Sequence, residues 1–295
     1  MYALAVMVSA VLGAEAVESS TYPRSEMLLE AGELLQPGAA ARYVILDARA
    51  RKAFDEGRIP GARWVDASAW AKAFGQGSDA AAWSKRIGGL GIGRDSRVVV
   101  YDASSFRDAA RVWWILGYWG VGDVRLLNGG WTLWHKVRLP VETGKCPEPQ
   151  PAPFQAVPRT QRLATKDLLL ESLKQRSLQI VDARSEREFC GLEKEKNKRA
   201  GAIPGAKHLE WVELVDQPCG RFKTLEQLRK LFQDAGIDLQ KPSAAHCQSG
   251  GRSSVMVFAM ELMGAKDVRN YHASWAEWGN ADDTPIVSGQ PKARQ

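Results

Sequence analysis

The chain repeats itself once, and no other feature restricts its fold so strongly. Val44-Ile45-Leu46-Asp47-Ala48-Arg49 returns as Gln179-Ile180-Val181-Asp182-Ala183-Arg184, and Ile59-Pro60-Gly61-Ala62 returns as Ile203-Pro204-Gly205-Ala206. Further on, Val99-Val100-Tyr101-Asp102 corresponds to Ala244-Ala245-His246-Cys247, and Trp131-Thr132-Leu133-Trp134 to Trp275-Ala276-Glu277-Trp278. One order of motifs kept in both halves means one folding unit built twice. The copies lie 135 residues apart at Asp47 and Asp182, 144 at Gly61 and Gly205, and 145 at Asp102 and Cys247, so the second carries an insertion between Cys190 and Ala200. Between the copies, Pro140, Pro147, Pro149, Pro151, Pro153 and Pro158 make a stiff, extended connection. This divides the chain into a first domain over 22–140, a linker over 141–158 and a second domain over 159–288, which suits 295 residues at ~150 residues per domain.

Each copy alternates short β-branched runs with helical stretches. In the first, 43–46, 97–101 and 124–127 read as strands, and 108–119 as a helix carrying Val112, Ile115, Leu116 and Trp119 on its apolar side. Strand–helix alternation predicts an α/β fold: two homologous domains, each a mainly parallel sheet flanked by helices. In such sheets a ligand site lies off the carboxyl ends of the strands. Gly88-Gly89-Leu90-Gly91-Ile92-Gly93 invites a nucleotide-loop reading, but Arg94 stands where the third glycine belongs, and the run precedes a strand. It reads instead as a helix end and turn.

The copies differ most at one loop. An apolar approach over 242–245 and His246 lead to Cys247, then Gln248-Ser249-Gly250-Gly251-Arg252-Ser253-Ser254, then an amphipathic run over 255–262. Strand, loop and helix in that order place Cys247 at a strand end, above a helix N-terminus. Inward-turned backbone N–H groups of such a loop form an anion nest, and the helix start adds partial positive charge. Both favour the thiolate, so Cys247 is expected to have a lowered pKa and to act as a nucleophile. A buried structural cysteine is the plain alternative, and the glycine pair, the serines and Arg252 speak against it. The first copy has Asp102-Ala103-Ser104-Ser105-Phe106-Arg107, equally long and also ending in Arg, but without a nucleophile. An aspartate in an anion nest repels an anionic substrate, so this copy is expected to be inert. Arg107 and Asp47 recur as Arg252 and Asp182, which predicts that Arg252 braces the loop and that Asp182 is a structural acceptor.

Composition excludes several other classes. Hydrophobic residues at 45% and charged residues at 25% are ordinary for a soluble globular protein. The net charge of +6 is modest, and the basic run over 194–199 is broken by Glu195 and Asn197, so a nucleic-acid partner is not expected. Cys146, Cys190, Cys219 and Cys247 have no CxxC or paired-His spacing, so neither a metal site nor a disulfide scaffold is expected, and the first three are taken as incidental. Residues 1–16 are apolar and end in Ala14-Glu15-Ala16, like the later part of a secretory signal peptide, though without a basic start. Export to a periplasmic or external compartment is the expectation, with a cytoplasmic location the alternative. The segment is too short for a span of ~20 residues, no other stretch could cross a membrane, and a monomer is expected.

Together these motifs resemble the tandem-domain rhodaneses, a sulfurtransferase family with two homologous domains of which only the C-terminal one is active. The resemblance rests on Asp47-Ala48-Arg49 and Asp182-Ala183-Arg184, the two Ile-Pro-Gly-Ala segments, the run from Val98 through Trp114, Asn128-Gly129-Gly130-Trp131 and the Cys247 loop, and it covers about 22–288. It implies a rhodanese-like reaction without a cofactor, in which a small anionic donor gives its outer sulfur to Cys247 and a thiophilic acceptor, cyanide or a thiol, removes it. Such covalent catalysis in two steps predicts ping-pong kinetics. The terminal sulfur of the persulfide carries negative charge and needs donors from the backbone of Gln248, Ser249, Gly250, Gly251, Arg252 and Ser253. By the family pattern Arg184 faces the mouth of the site and pairs with the donor's oxyanion, and Arg187 is a second candidate. A surface salt bridge to Glu186 or Glu188 is the plain alternative for both.

The mercaptopyruvate branch of that family carries a Cys-Gly-Ser/Thr-Gly loop and a His before its first Ile-Pro-Gly-Ala. Here Gln248 and Arg58 stand at those places, and the loop is closer to the Cys-Gln-Thr type of bacterial thiosulfate-using relatives. Thiosulfate is therefore the expected donor; 3-mercaptopyruvate, or a persulfide relay serving a protein partner, are the alternatives. Ala202, where a His often precedes the second Ile-Pro-Gly-Ala, has no reading. A phosphatase or arsenate reductase needs Cys-x5-Arg to ring three oxygens. Cys247 to Arg252 is Cys-x4-Arg, a tighter ring suited to one sulfur, with no flanking Asp to serve as general acid.

Overall fold

The computed structural model describes residues 22–75 and 77–290, so the signal-like segment 1–16 lies outside the described residues. These form two compact units, one of 22–158 with 216–226, the other of 159–215 with 227–290. The first unit holds β1 (Leu28–Leu29), β2 (Tyr43–Asp47), β3 (Arg63–Trp64), β4 (Arg97–Tyr101) and β5 (Asp123–Leu127). They make one parallel sheet in the order β1-β5-β4-β2-β3. A parallel strand covered on both faces reads as an unbroken apolar run, and Val98, Val99, Val100 and Tyr101 of β4 are all fully buried.

Three helices of this unit flank or follow the repeated motifs: α1 (Arg51–Glu56), α2 (Arg107–Tyr118) and α3 (Gly130–Lys136). The apolar residues expected on α2, Val112, Ile115 and Leu116, and Trp119 just beyond it, are buried. Beside them Trp119 stacks on Trp83 at 5.7 Å and Phe74 meets Trp114 edge-on at 5.1 Å. The helix Ala80–Gly89 ends inside the glycine run, and Gly91 turns with φ +70. The proline-rich stretch 141–158 lies extended along this unit: the Ala152 N–H donates to the Gly88 carbonyl (2.9 Å) and the Val157 N–H to the Trp119 carbonyl (3.1 Å). A Cβ at Gly88 would stand 2.6 Å from the Ala152 carbonyl oxygen, so the glycine there makes room for the passing chain. Residues 216–226 also pack here, with Phe222 stacked on Phe106 at 4.4 Å and the Tyr22 hydroxyl donating to the Lys223 carbonyl at 2.6 Å.

The second unit holds β6 (Gln179–Asp182), α4 (Glu186–Phe189), β7 (Lys207–His208), β10 (Ser243–His246), α5 (Gly251–Leu262), β11 (Val268–Asn270) and α6 (Ser274–Trp278); the short pair β8 (Val215–Asp216) and β9 (Arg221–Phe222) falls between β7 and β10 in the chain. Its sheet is parallel in the order β11-β10-β6-β7. The run expected to be amphipathic is instead covered all round: every residue over 253–262 is buried, and Glu261 is paired with Arg162 at 3.0 Å. At ~1.5–3 kcal/mol for each fully buried Val, Met, Phe or Leu side chain, α5 is the centre of this unit's core.

The repeated motifs are repeated structures. The Trp131 N–H donates to the Asp102 carbonyl (2.8 Å) and the Trp275 N–H to the Cys247 carbonyl (3.0 Å). The indole of Trp134 donates to the Pro140 carbonyl (2.9 Å), and that of Trp278 to the Pro285 carbonyl (3.0 Å). Each Trp-x-x-Trp thus ties the loop after a central strand to the chain just beyond its own helix. No helix among the described residues is long and apolar enough to cross a membrane.

Candidate active site

Cys247 follows β10 directly, at the carboxyl end of a strand paired on both sides with β6 and β11. Its N–H donates to the Ser274 hydroxyl (3.1 Å), its carbonyl accepts from Trp275, and the Gln248 carbonyl accepts from the Ala276 N–H (3.0 Å). Both ends of the cysteine's backbone are therefore fixed on α6. Gly250 then turns with φ +85, and a Cβ there would meet His272 Cδ2 at 2.6 Å. Gly251 is already the first residue of α5. Asn270 of β11 secures this corner from the side: its amide donates to the Ser254 hydroxyl (2.9 Å), and its oxygen accepts from the Ser253 hydroxyl (2.7 Å).

The cysteine is only 1% exposed. Burial pushes its thiol pKa up, but the Arg252 charge, the Ser253 hydroxyl and the N–H groups of Ser253 and Ser249 outweigh burial, and the net shift is downward. The Ser253 hydroxyl, close enough to act on the sulfur, donates to Asn270 Oδ1 at 2.7 Å. Arg252 reaches across to α4 and grips Glu188 with two bonds, 2.6 and 2.9 Å. Glu188 is itself 4% exposed, and although burial raises its carboxyl, the Arg252 fork and the Ser185 N–H hold it below the usual range. Arg252 therefore braces the loop and also acts electrostatically on the sulfur. Its first-half counterpart Arg107 is exposed and pairs with its half-buried neighbour Asp108.

Arg184, expected at the mouth of the site, is buried at 1% exposure. Its guanidinium forks onto Asp182 (3.0 and 2.6 Å), donates to the Gly201 carbonyl (2.6 Å) and lies 4.1 Å over the Trp275 ring. Arg49 repeats each contact in the first unit, with Asp47 (2.6 Å), the Gly57 carbonyl (2.6 Å) and Trp131 (3.9 Å). Asp-Ala-Arg is thus a brace under the sheet end, in both units. Beneath it His246 is pushed down to about 4, chiefly by burial against the pull of Asp182, and is neutral at pH 7. Arg187, the second expected anchor, points outward from α4 and pairs with Glu193.

The Asp102 loop shows what the same frame does without a nucleophile. The N–H groups of Ser104, Phe106, Asp108 and Ala109 all donate to the Asp102 carboxylate, at 3.0, 3.0, 2.8 and 3.0 Å. The nest is filled by its own side chain, in a loop where Ser105 and Phe106 both sit at positive φ. A cleft of about 690 Å³ opens above it, lined by Arg49, Trp131, His135 and Asp102 among others, with no cysteine among its lining residues.

Three site residues escape a reading of the sequence. Glu188 had a usable signal, since Ser185-Glu186-Arg187-Glu188 is a capping box, and both of its bonds are present. Ser274, which receives the Cys247 N–H, has no local signature. Asn197 carried only the hint that it interrupts a basic run.

The family model for the Rhodanese-like domain matches the chain twice, over residues 30–137 and 165–281. The human 3-mercaptopyruvate sulfurtransferase is 35% identical over 264 residues, covering 84% of this chain and 86% of that one. A putative thiosulfate sulfurtransferase of Mycolicibacterium smegmatis is 35% identical over 219 residues, covering 72% and 78%. Among solved structures, SseA from Escherichia coli, described as a 3-mercaptopyruvate sulfotransferase, superposes with a TM-score of 0.73 at 27% identity, covering 85% of this chain and 99% of that one.

Proposed function

This chain belongs to the rhodanese family, with two rhodanese-like domains of the thiosulfate and 3-mercaptopyruvate sulfurtransferase type, and from that premise we propose that it moves the outer sulfur of thiosulfate to a thiophilic acceptor through a persulfide on Cys247. The Cys247 thiolate attacks the outer sulfur of thiosulfate. The S–S bond of the donor breaks, sulfite leaves with the electron pair, and the new S–S bond joins that sulfur to Sγ. Cyanide, or a thiolate, then attacks the terminal sulfur, leaving as thiocyanate or a new persulfide and returning the Cys247 thiolate. The Ser249 and Ser253 amides that favour the thiolate are suited to the charge of the terminal sulfur as well.

The observation that carries this reading is the contrast between the two loops. One holds a sulfur nucleophile whose ionised form is favoured by Arg252 and loop amides; the other has closed its amides on Asp102. Arg252, with a side chain 21% exposed, is the cation next to the sulfur and the group suited to the anionic donor, in place of the buried Arg184. Gln248 next to the cysteine supports thiosulfate over 3-mercaptopyruvate. Steady-state transfer to cyanide from each donor tests this: kcat/KM for thiosulfate is expected to exceed that for 3-mercaptopyruvate, and Cys247→Ser to abolish both. The reverse donor order would replace thiosulfate by 3-mercaptopyruvate, and turnover by Cys247→Ser would end the covalent mechanism. Loading of one sulfur per chain without turnover would mark a relay serving a protein partner.

A further inference from the structure

The insertion that distinguishes the second half runs through solvent: Leu192 is 68% exposed, and Lys194, Glu195, Lys196 and Lys198 are exposed too. Within it Asn197 is buried, at 6%. Its amide nitrogen donates to Gln248 Oε1 (3.0 Å) and to the Lys194 carbonyl (2.8 Å). Its oxygen accepts from Gln248 Nε2 (3.0 Å) and from Asn280 Nδ2 (3.0 Å). Two donors and two lone pairs are the whole capacity of a carboxamide, and all are used. Asn280 continues the chain of bonds, donating to the Ala276 carbonyl (2.8 Å) and accepting from the Lys198 N–H (2.8 Å). Ala276 in turn donates its N–H to the Gln248 carbonyl. The ring of contacts closes on Gln248, held by its side chain and by its backbone. The next residue is Ser249, one of the two whose N–H groups act on the sulfur. In the first half the place of Gln248 is taken by Ala103 and there is no insertion, so the clamp exists only where there is a nucleophile to aim at.

We propose that Asn197 is a positioning residue of the site, which through Gln248 holds the Ser249 N–H on the Cys247 sulfur. The proposal rests on Cys247 being the group that takes up sulfur, and it explains why an otherwise solvated insertion sends one amide inward. A loop freed at Gln248 lets that donor drift, and displacements of about 1 Å at a reacting centre cost up to ~100-fold.

The test is the pH dependence of Cys247 alkylation by iodoacetamide, followed on the Cys247 peptide by mass spectrometry, together with thiosulfate:cyanide kinetics. Asn197→Ala is expected to move the alkylation inflection to higher pH and to lower kcat/KM about tenfold. Gln248→Ala reaches the same clamp from its other side and is expected to give the same two changes, so either variant serves if the other fails to fold. The double variant is expected to be no worse than Gln248→Ala alone, because both remove one interaction. A wild-type inflection in both single variants, or losses that add in the double variant, would overturn the proposal. The alkylation arm does not depend on sulfur transfer, so a wild-type protein that took no sulfur from thiosulfate would refute the donor assignment and leave the clamp to be judged on alkylation.

Discussion

Arg252 stands next to a buried sulfur and carries two obligations, a charge for the thiolate and a partner for Glu188. With the Cys247 pKa lowered, the thiolate fraction rises as pH climbs through that lowered value, so the alkylation inflection should lie at lower pH than that of an ordinary free cysteine. Arg252→Met combined with Glu188→Gln removes the charge pair without orphaning either member, and the alkylation inflection should move upward. An unmoved inflection would show that Arg252 does not act on the sulfur. Arg184 calls for the opposite readout. Removing one member of a buried ion pair costs roughly 3–5 kcal/mol, so Arg184→Ala should lower the unfolding midpoint of the second unit substantially while the KM for thiosulfate changes little. A raised KM at an unchanged midpoint would return Arg184 to the mouth of the site. The recurrence of Arg49 beside Asp47 marks this arginine as structural, by the same argument that identifies Asp182. The family pattern points to the mouth of the site instead, and Arg49 both braces Asp47 and lines the cleft above the Asp102 loop, so the midpoint and the KM together separate the two roles.

At the scale of elements, the turn from β10 into α5 is the point of least tolerance. Gly250→Ala puts a side chain at φ +85 and against His272. A residue forced into such a region costs about 1–3 kcal/mol, and because this turn aims the Ser253 N–H, activity should fall by more than stability alone accounts for. An active variant with an unchanged midpoint would mean the turn relaxes freely. Strands β2, β4 and β5 and helix α2 were legible because parallel strands and an apolar helix stripe leave continuous patterns in the residues. Helix α5 was legible as a helix, but its burial on every side was not, because Ser253 and Ser254 at its start and Glu261 near its end imitate a polar face. In the fold those groups bond Asn270, the Gly250 carbonyl and Arg162 and never reach solvent.

Over the whole molecule the duplication, its insertion and its differing loops were readable, and the contacts between distant segments were not. The placement of 216–226 with the first unit depends on contacts such as Tyr22 to Lys223, 201 residues apart, for which no local pattern exists. The Asn197–Gln248 clamp spans 51 residues and is equally silent in sequence. What the two units share is a frame: an Asp-Ala-Arg brace, a Trp-x-x-Trp tie and a loop of amides over a helix start. They differ in what the amides face, a carboxylate that fills them in one unit and a sulfur in the other. The most direct measurement of that difference is the intact mass of the protein after incubation with thiosulfate, with peptide mapping. One added sulfur per chain, on Cys247 and removed by cyanide, is the predicted result. No gain, or a gain that persists when Cys247 is replaced by Ser, would contradict it.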